Sequence, residues 1–314
     1  MPTDIPGIHH VTAVGADPAR NAAFYTETLG LRLVKRSVNQ DDVSVYHLFY
    51  GDRTGSPGTS MTVFPYPDAA PGQVGQGQAS AVAFLIPDGS VDFWIDRLAS
   101  ADVDAETTER FGDTVVRFSD PDGLPLELVA RTDAPAGDPP ERPVPAEHAI
   151  RGFFGVTLSL SDADRTATLL EAMGFETTGT EGRRRRYEAD GDLGYVVDLS
   201  EDPDAPQGRP GAGTVHHVAF QVTRETHAEW RQVLIDHGLR PTDIIDRKWF
   251  ESVYARTSGG VLFEYATEEP GYTVDEELAH LGERLVLPEW LEGRRDEIEA
   301  DLPSLELHDT VRQE

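Results

Sequence analysis

Two adjacent histidine pairs are the residues best suited to bind a metal ion. The first lies in Ile8-His9-His10-Val11 and the second in Val215-His216-His217-Val218. Both runs are rich in β-branched residues and predict strands, in which successive side chains point to opposite faces. Only one histidine of each pair can therefore face a given interior. Two equivalent strands could each deliver one imidazole to a shared point.

A carboxylate in an apolar strand is the third candidate ligand. Glu264 lies in Gly259-Gly260-Val261-Leu262-Phe263-Glu264-Tyr265, where burial of an unpaired carboxylate would be costly. A metal ion would remove that cost, and two imidazoles with one carboxylate form a facial triad that leaves coordination positions open. Other roles stay open, because strand histidines are commonly hydrogen-bonded core or surface residues and Glu264 could pair with Arg247 or Arg256.

The candidate ligands fall within a fourfold repeat of a strand, a helix and further strands. In the first unit, the helix begins at Asp17-Pro18 and ends at Leu29-Gly30, as capping preferences predict. Its predicted strands are Ile8–Val14, Leu31–Val38, Val45–Tyr50 and Ser60–Pro65. The other predicted helices are Val91–Ala101, Ala163–Met173 and Glu225–His237, each preceded by a strand that begins near Ala79, Phe153 or Thr214.

This pattern predicts an α+β fold of four βαβββ modules in two tandem domains, with a C-terminal helical tail. The domains would span residues 1–131 and 150–270, and the proline-rich and acidic residues 132–149 would link them. Residues 271–314 would form the tail, with helical patterns at Glu276–Leu287 and Trp290–Ala300.

The positions of the three candidate ligands predict how the modules pair. His10 lies in module one, whereas His217 and Glu264 lie in module four. If they meet, modules one and four form one open barrel, modules two and three form the other, and the linker is a crossover. Glu127 resembles Glu264 in position, but modules two and three lack histidine in their opening strands, so we predict a structural or solvent-paired role for it.

Composition limits the classes of partner. The 314 residues include 56 acidic and 27 basic residues, giving a net charge of -29, and the only lysines are Lys35 and Lys248. Such an acidic, lysine-poor surface suggests a halophilic source. It would repel a phosphate backbone, so no nucleic-acid partner is expected. The run Arg183 to Arg186 is a local exception, interpreted as a strand whose arginines pair with nearby acids.

The chain contains no cysteine, which excludes thiolate metal ligands and thiol catalysis. No apolar run reaches the roughly 18 residues that a membrane-spanning helix needs, so no membrane partner is expected. The first residues do not have the pattern of a secretory signal, which predicts a cytoplasmic location. A homo-oligomer is compatible with the sequence.

Nearly the whole chain resembles the vicinal oxygen chelate (glyoxalase/bleomycin resistance/extradiol dioxygenase) superfamily, and within it the hydroquinone-type ring-cleaving dioxygenases. The motifs typical of the superfamily are Gly7–Thr12, His216–Phe220 and Leu262–Glu264. Those more specific to the branch lie in Tyr46–Thr59, and Tyr25 with Leu29–Lys35 also matches.

The resemblance implies that His10, His217 and Glu264 bind Fe(II), and Mn(II) suits the same donors. It also implies catalytic roles close to the metal for five further residues, which are His9, Thr12, His216, Arg247 and Tyr254. Tyr254 or a neighbouring histidine could move a proton, and Arg247 could stabilise negative charge on an oxygen. Ordinary hydrogen bonding within the strands is the alternative role for these five side chains.

The implied activity is cleavage of a hydroquinone, or secondarily a catechol, with a small aromatic substrate and O2 as partners. A glyoxalase-like metal-dependent lyase or isomerase is an alternative. Such enzymes commonly carry two glutamates, however, and the last strand of module one, Thr62-Val63-Phe64-Pro65, offers none. A metal-free protein that binds an aromatic ligand is a further alternative.

Overall fold

The computed structural model describes residues 2–305 of the chain, in which sixteen strands form two eight-stranded sheets. The strands are β1 Ile8–Gly15, β2 Arg32–Asn39, β3 Asp42–Gly51, β4 Ser60–Pro65, β5 Gln78–Pro87, β6 Glu106–Arg110, β7 Asp113–Ser119, β8 Pro125–Arg131, β9 Gly152–Leu160, β10 Glu176–Glu181, β11 Arg184–Glu188, β12 Val196–Glu201, β13 Thr214–Val222, β14 Ile245–Asp246, β15 Glu251–Arg256 and β16 Leu262–Thr267. The predicted α+β class with four modules is confirmed.

Short helices connect the first two strands of each module. They are α1 Pro18–Ala23, α2 Val91–Ser100, α3 Asp164–Ala172 and α4 His227–Asp236, and a final helix, α5, spans Arg295–Asp301. As predicted, Asp17 caps α1, because its carboxylate accepts hydrogen bonds from the amides of Ala19 and Arg20 at 2.9 Å. Within the described residues, no helix combines the length and apolarity needed to cross a bilayer.

The two sheets combine the modules as the ligand positions required. The first sheet has the order β14-β15-β16-β13-β1-β4-β3-β2 and joins modules one and four; the second has the order β10-β11-β12-β9-β5-β8-β7-β6 and joins modules two and three. The segment after β8 leads to β9 of the same sheet, passing β5, which lies between them. It is packed against the fold, since Trp94 Nε1 donates to the His148 carbonyl at 2.9 Å.

The apolar core lies between these helices and the sheets. Trp94 of α2, Leu170 of α3 and Trp230 of α4 are almost completely buried and belong to one continuous hydrophobic cluster with the strands. Each helix thus buries one apolar stripe, as expected for short helices whose stability depends on packing. This packing fixes the backbone of the strands that carry the candidate ligands.

The tail packs against the first sheet. The predicted helix at Glu276–Leu287 is wrong, because only a 3-10 turn, Leu278–His280, forms there. The Val286 amide instead binds the Arg36 carbonyl at 2.9 Å, an extended contact that replaces helical hydrogen bonds. The pattern at Trp290–Ala300 corresponds to α5 and the 3-10 turn before it. Residues 306–314 of the predicted tail lie outside the described range.

Candidate metal centre

Three buried side chains converge on one point in the first sheet. His217 Nε2 lies 2.8 Å and His10 Nε2 lies 3.2 Å from Glu264 Oε2, and the two nitrogens are 3.2 Å apart. The exposed fractions of His10, His217 and Glu264 are 1%, 4% and 0%. Among residues 2–305, these three form the one group of histidine and carboxylate side chains that is arranged to hold a metal ion.

Strand register explains why these three residues meet. In the neighbouring strands β1, β13 and β16, His10 pairs with Ala219, and Ala219 pairs with Glu264. The three therefore lie in one row across the sheet. His217 is two residues before Ala219 and, by strand alternation, faces the same side. The convergence follows from the pairing of modules one and four.

The histidine that precedes each candidate ligand contacts the ring of that candidate ligand. His9 Nδ1 lies 2.9 Å from His10 Nδ1, and His216 Nδ1 lies 2.8 Å from His217 Nδ1. A metal on Nε2 requires the proton of each ligand ring to lie on Nδ1, where the preceding histidine can accept it. Burial, and next the electrostatic effect of the adjacent histidine, lowers the pKa of His9 to about 3 and that of His216 to about 4. Both rings are therefore neutral acceptors near neutral pH.

The donor set fits a divalent cation. Glu264 Oε1 accepts a hydrogen bond from the Ser252 hydroxyl, but Oε2 has no hydrogen-bond partner among the described residues although it is fully buried. Such an orphaned carboxylate oxygen is costly unless a cation contacts it. Burial lowers the pKa of His217, which keeps the ring neutral. Two imidazoles and one carboxylate suit Fe(II) or Mn(II).

Thr12 lies directly beside the converging atoms. Its side chain is completely buried, and its hydroxyl lies 2.7 Å from His217 Nε2 and 2.7 Å from the Thr62 hydroxyl. Register accounts for both contacts, since Thr12 pairs with His217 on one side and with Thr62 on the other. Thr12 therefore faces the same point as the three candidate ligands.

Arg247 and Tyr254 lie on the open side of the same site. Arg247 Nε donates to the Tyr254 hydroxyl at 3.3 Å, and the guanidinium also pairs with Asp41 at 2.9 Å. Tyr254 pairs with Glu264 across β15 and β16, and its ring is 5.7 Å from that of His217. Burial and then the Glu264 charge raise the pKa of Tyr254. Tyr254 therefore keeps its proton near neutral pH and can donate it in a hydrogen bond.

A cavity of about 480 Å³ leads to the ligand atoms. Its wall is largely aromatic, and its rim is polar and acidic. The wall includes Phe49, Phe64, Trp249, Phe250 and Tyr254, and the rim includes Asn39, Gln40, Asp41 and Asp42. His10, His216, His217 and Arg247 also line it, whereas the buried side chains of His9, Thr12 and Glu264 are not among its lining residues. The size and lining are typical of a small-molecule site.

His47 lines this cavity and has no metal-site role in the sequence analysis. Its Nε2 lies 3.0 Å from the Thr62 hydroxyl, and its ring packs against those of Phe49 and Phe64. His47 lies in the stretch Tyr46–Thr59 that resembles the dioxygenase branch, but this stretch does not indicate that β3 brings it next to β4. The contact depends on strand order within the sheet, which local sequence does not specify.

The second sheet holds an ion-pair cluster where the first holds the candidate ligands. Glu127 is bound by both terminal nitrogens of Arg110, at 2.5 and 2.9 Å. Arg186 binds Asp198 through two bonds, at 2.9 and 3.0 Å. The structural role predicted for Glu127 is confirmed. So is the pairing of the arginine run, since each residue from Arg183 to Arg186 contacts an aspartate or a glutamate.

Comparisons with known proteins agree with this geometry. The Glyoxalase/Bleomycin resistance protein/Dioxygenase superfamily model matches residues 7–128. A Bacillus subtilis protein named "Putative ring-cleaving dioxygenase MhqO" is 42% identical over 305 residues, covering 96% of this chain and 97% of its own length. The "Chlorohydroquinone/hydroquinone 1,2-dioxygenase" of Sphingobium indicum is 35% identical over 310 residues, covering 95% and 96%. A crystal structure of a Bacillus subtilis protein described as a "putative dioxygenase" superposes with a TM-score of 0.93 at 41% identity, covering 97% and 98%.

Proposed function

Because the chain belongs to the ring-cleaving dioxygenases of the glyoxalase/bleomycin resistance protein/dioxygenase superfamily, we propose that it cleaves a hydroquinone ring with O2 and uses Fe(II). The proposed ligands of the iron are His10, His217 and Glu264. The reaction adds both atoms of O2 to the substrate while one carbon–carbon bond of the ring breaks, so no other oxidant is needed.

The orphaned oxygen of Glu264 carries this proposal. A fully buried carboxylate atom without a hydrogen-bond partner, 2.8 and 3.2 Å from two imidazole nitrogens, is the environment of a cation. The aromatic cavity opens onto His10 and His217, the two imidazoles of this group. A substrate ring in this cavity would therefore place a hydroxyl beside the metal.

When bound, Fe(II) would supply the electron transfer between a phenolic oxygen and dioxygen that side chains cannot supply. The protein's own residues would orient the substrate and hold protons. Phe49, Trp249 and Phe250 would hold the ring and exclude water. Tyr254 would donate a hydrogen bond to a substrate oxygen, and Arg247 would stabilise negative charge that develops there.

His9, His216 and Thr12 would act on the ligands themselves. Each histidine of the pairs would accept the Nδ1 proton of the following ligand and so hold its Nε2 toward the metal. Thr12, 2.7 Å from His217 Nε2, would present its hydroxyl at the same point. These roles agree with the five catalytic positions that the family resemblance implies.

A lyase or isomerase of the glyoxalase type is the weaker candidate. Thr62 of β4 pairs with Thr12, which lies two residues after His10. In the same way, Glu264 of β16 pairs with Ala219, which lies two residues after His217. A second glutamate ligand would be expected at Thr62, and a threonine there leaves three protein ligands. An open coordination position favours O2 chemistry.

Oxygen uptake tests the proposal. The protein is loaded with Fe(II) anaerobically, and hydroquinone, catechol and the methylglyoxal–glutathione adduct are offered in turn, with Glu264→Gln as the variant. Glu127→Gln is the matched control, because it makes the same change at the corresponding register position of the second sheet. We expect one O2 consumed per hydroquinone in the wild type and in Glu127→Gln, and none in Glu264→Gln.

Three other outcomes would change the proposed substrate, the proposed reaction or the proposed ligand set. Uptake with catechol but not with hydroquinone would reassign the substrate while keeping the reaction. Turnover of the glutathione adduct without oxygen consumption would support the isomerase. Uptake that survives in Glu264→Gln would refute the ligand set. Loading with Mn(II) in place of Fe(II) tests the metal, and we expect the higher rate with Fe(II).

A further inference from the structure

A hydrogen-bonded chain of three side chains leads from the cavity wall to the ligand atoms. His47 Nε2 lies 3.0 Å from Thr62 Oγ1, Thr62 Oγ1 lies 2.7 Å from Thr12 Oγ1, and Thr12 Oγ1 lies 2.7 Å from His217 Nε2. Thr12 and Thr62 are completely buried. Three adjacent strands, β3, β4 and β1, each contribute one member.

The direction of every hydrogen bond in this chain follows once the donor at one end is chosen. A hydroxyl has one proton to donate, so Thr62, which has two partners, accepts from one and donates to the other. If His47 Nε2 donates to Thr62, then Thr62 donates to Thr12. The remaining Thr12 proton then points toward His217 Nε2. Once His217 Nε2 binds a metal, that nitrogen cannot accept the Thr12 proton. The Thr12 hydroxyl would then donate to a substrate oxygen that lies beside His217.

The surroundings of His47 support its role as the start of the chain. Its ring centroid lies 3.8 Å from that of Phe49 and 4.4 Å from that of Phe64, so two aromatic rings fix its orientation. Burial lowers its pKa well below the usual value, and a neutral ring has one N–H to donate. Phe49 and Phe64 themselves line the cavity.

We propose that His47 is a positioning residue that acts through Thr62 to direct the Thr12 hydroxyl at a substrate oxygen beside His217. Thr62, at the register position that carries Glu264 in module four, thus contributes a hydrogen bond where a fourth ligand would otherwise lie. The inference rests on the proposed function, since a phenolic substrate oxygen is the acceptor. It adds two residues, His47 and Thr62, to the site.

Anaerobic binding of hydroquinone to the Fe(II)-loaded protein, measured by calorimetry, tests this inference without turnover. Thr62→Val removes the hydroxyl at nearly constant volume and should weaken binding about tenfold, the effect of losing one net hydrogen bond. His47→Phe should weaken binding to a similar extent. Thr62→Ser and His47→Gln, which retain a hydroxyl and a side-chain N–H, should stay within about threefold of wild type.

The double variant His47→Phe/Thr62→Val separates a connected chain from two independent effects. Members of one chain are not additive, so the double variant should bind no more weakly than Thr62→Val alone. Thr157→Val is the matched control, because Thr157 occupies in the second sheet the register position that Thr12 has in the first. It should leave binding unchanged. Iron content should equal that of wild type in every variant.

Three results would overturn the inference. The first is that Thr62→Val and His47→Phe bind hydroquinone as tightly as wild type. The second is that their effects add in the double variant. The third is a loss of iron from the variants, which would indicate a structural role. The proposed function fails separately, in the wild type itself. If the wild-type protein binds hydroquinone and consumes O2 but the variants bind hydroquinone as tightly as the wild type does, this inference fails and the proposed function stands.

Discussion

The two eight-stranded sheets are built from the same kind of module but carry different side chains at their centres. Each module has one central position in its opening strand and one in its closing strand. The closing position pairs with the residue that lies two places after the opening position. The opening positions are His10, His217, Ala81 and Gly155, and the closing positions are Thr62, Glu264, Glu127 and Asp198 in the corresponding order. The first sheet has histidines and one glutamate; the second has small residues and two carboxylates.

The neighbours of these positions decide their chemistry. Glu127 and Asp198 each make two hydrogen bonds to an arginine, so every oxygen is paired by the protein itself. Among residues 2–305, Glu264 has no arginine partner and its Oε2 has no hydrogen bond. A buried carboxylate thus serves stability where arginines surround it and suits a metal where imidazoles do.

The largest expected effect on stability comes from the second sheet. Glu127→Gln removes the negative charge from a buried ion pair and leaves the Arg110 guanidinium without this counter-charge, which should lower the free energy of unfolding by about 3–5 kcal/mol. Urea denaturation of the metal-free protein would measure the change. A loss below about 1 kcal/mol would mean that Arg110 re-pairs, and the comparison between the sheets would weaken.

Fe(II) should raise the free energy of unfolding by binding to the first sheet alone. A ligand that binds only the folded state at 100 times its Kd adds about 2.7 kcal/mol to the free energy of unfolding. We expect this gain for Fe(II) in the wild type and in Glu127→Gln, each measured against its own metal-free form. Glu264→Gln should show none. Stabilisation of Glu264→Gln by iron would indicate binding elsewhere.

The smallest change in the free energy of unfolding should follow from replacing both members of an ion pair. In Arg110→Met/Glu127→Leu neither charge is left buried without its partner, so the free energy of unfolding should stay within about 1 kcal/mol of wild type. A double variant as unstable as Glu127→Gln would show that the rest of the cluster depends on this pair. Oxygen uptake should remain at the wild-type level.

Local patterns in the sequence predicted the modules and the strands that carry the candidate ligands. Strand alternation predicted that one histidine of each pair faces the interior, and the family resemblance selected His10 and His217. The positions of these two histidines and Glu264 then predicted how the modules pair. The features that were missed depend on contacts between distant segments. His47 reaches the site only because β3 adjoins β4, and the helix predicted at Glu276–Leu287 is replaced by hydrogen bonds to the backbone of Arg36.

A crystal of the Fe(II)-loaded protein, measured at the iron absorption edge, tests the central claim most directly. We predict one anomalous peak, bonded to Nε2 of His10, Nε2 of His217 and a carboxylate oxygen of Glu264, facing the cavity lined by Phe49, Trp249 and Tyr254. No peak at this point, or a peak at Glu127 and Asp198 in the second sheet, would contradict the assignment of the metal centre.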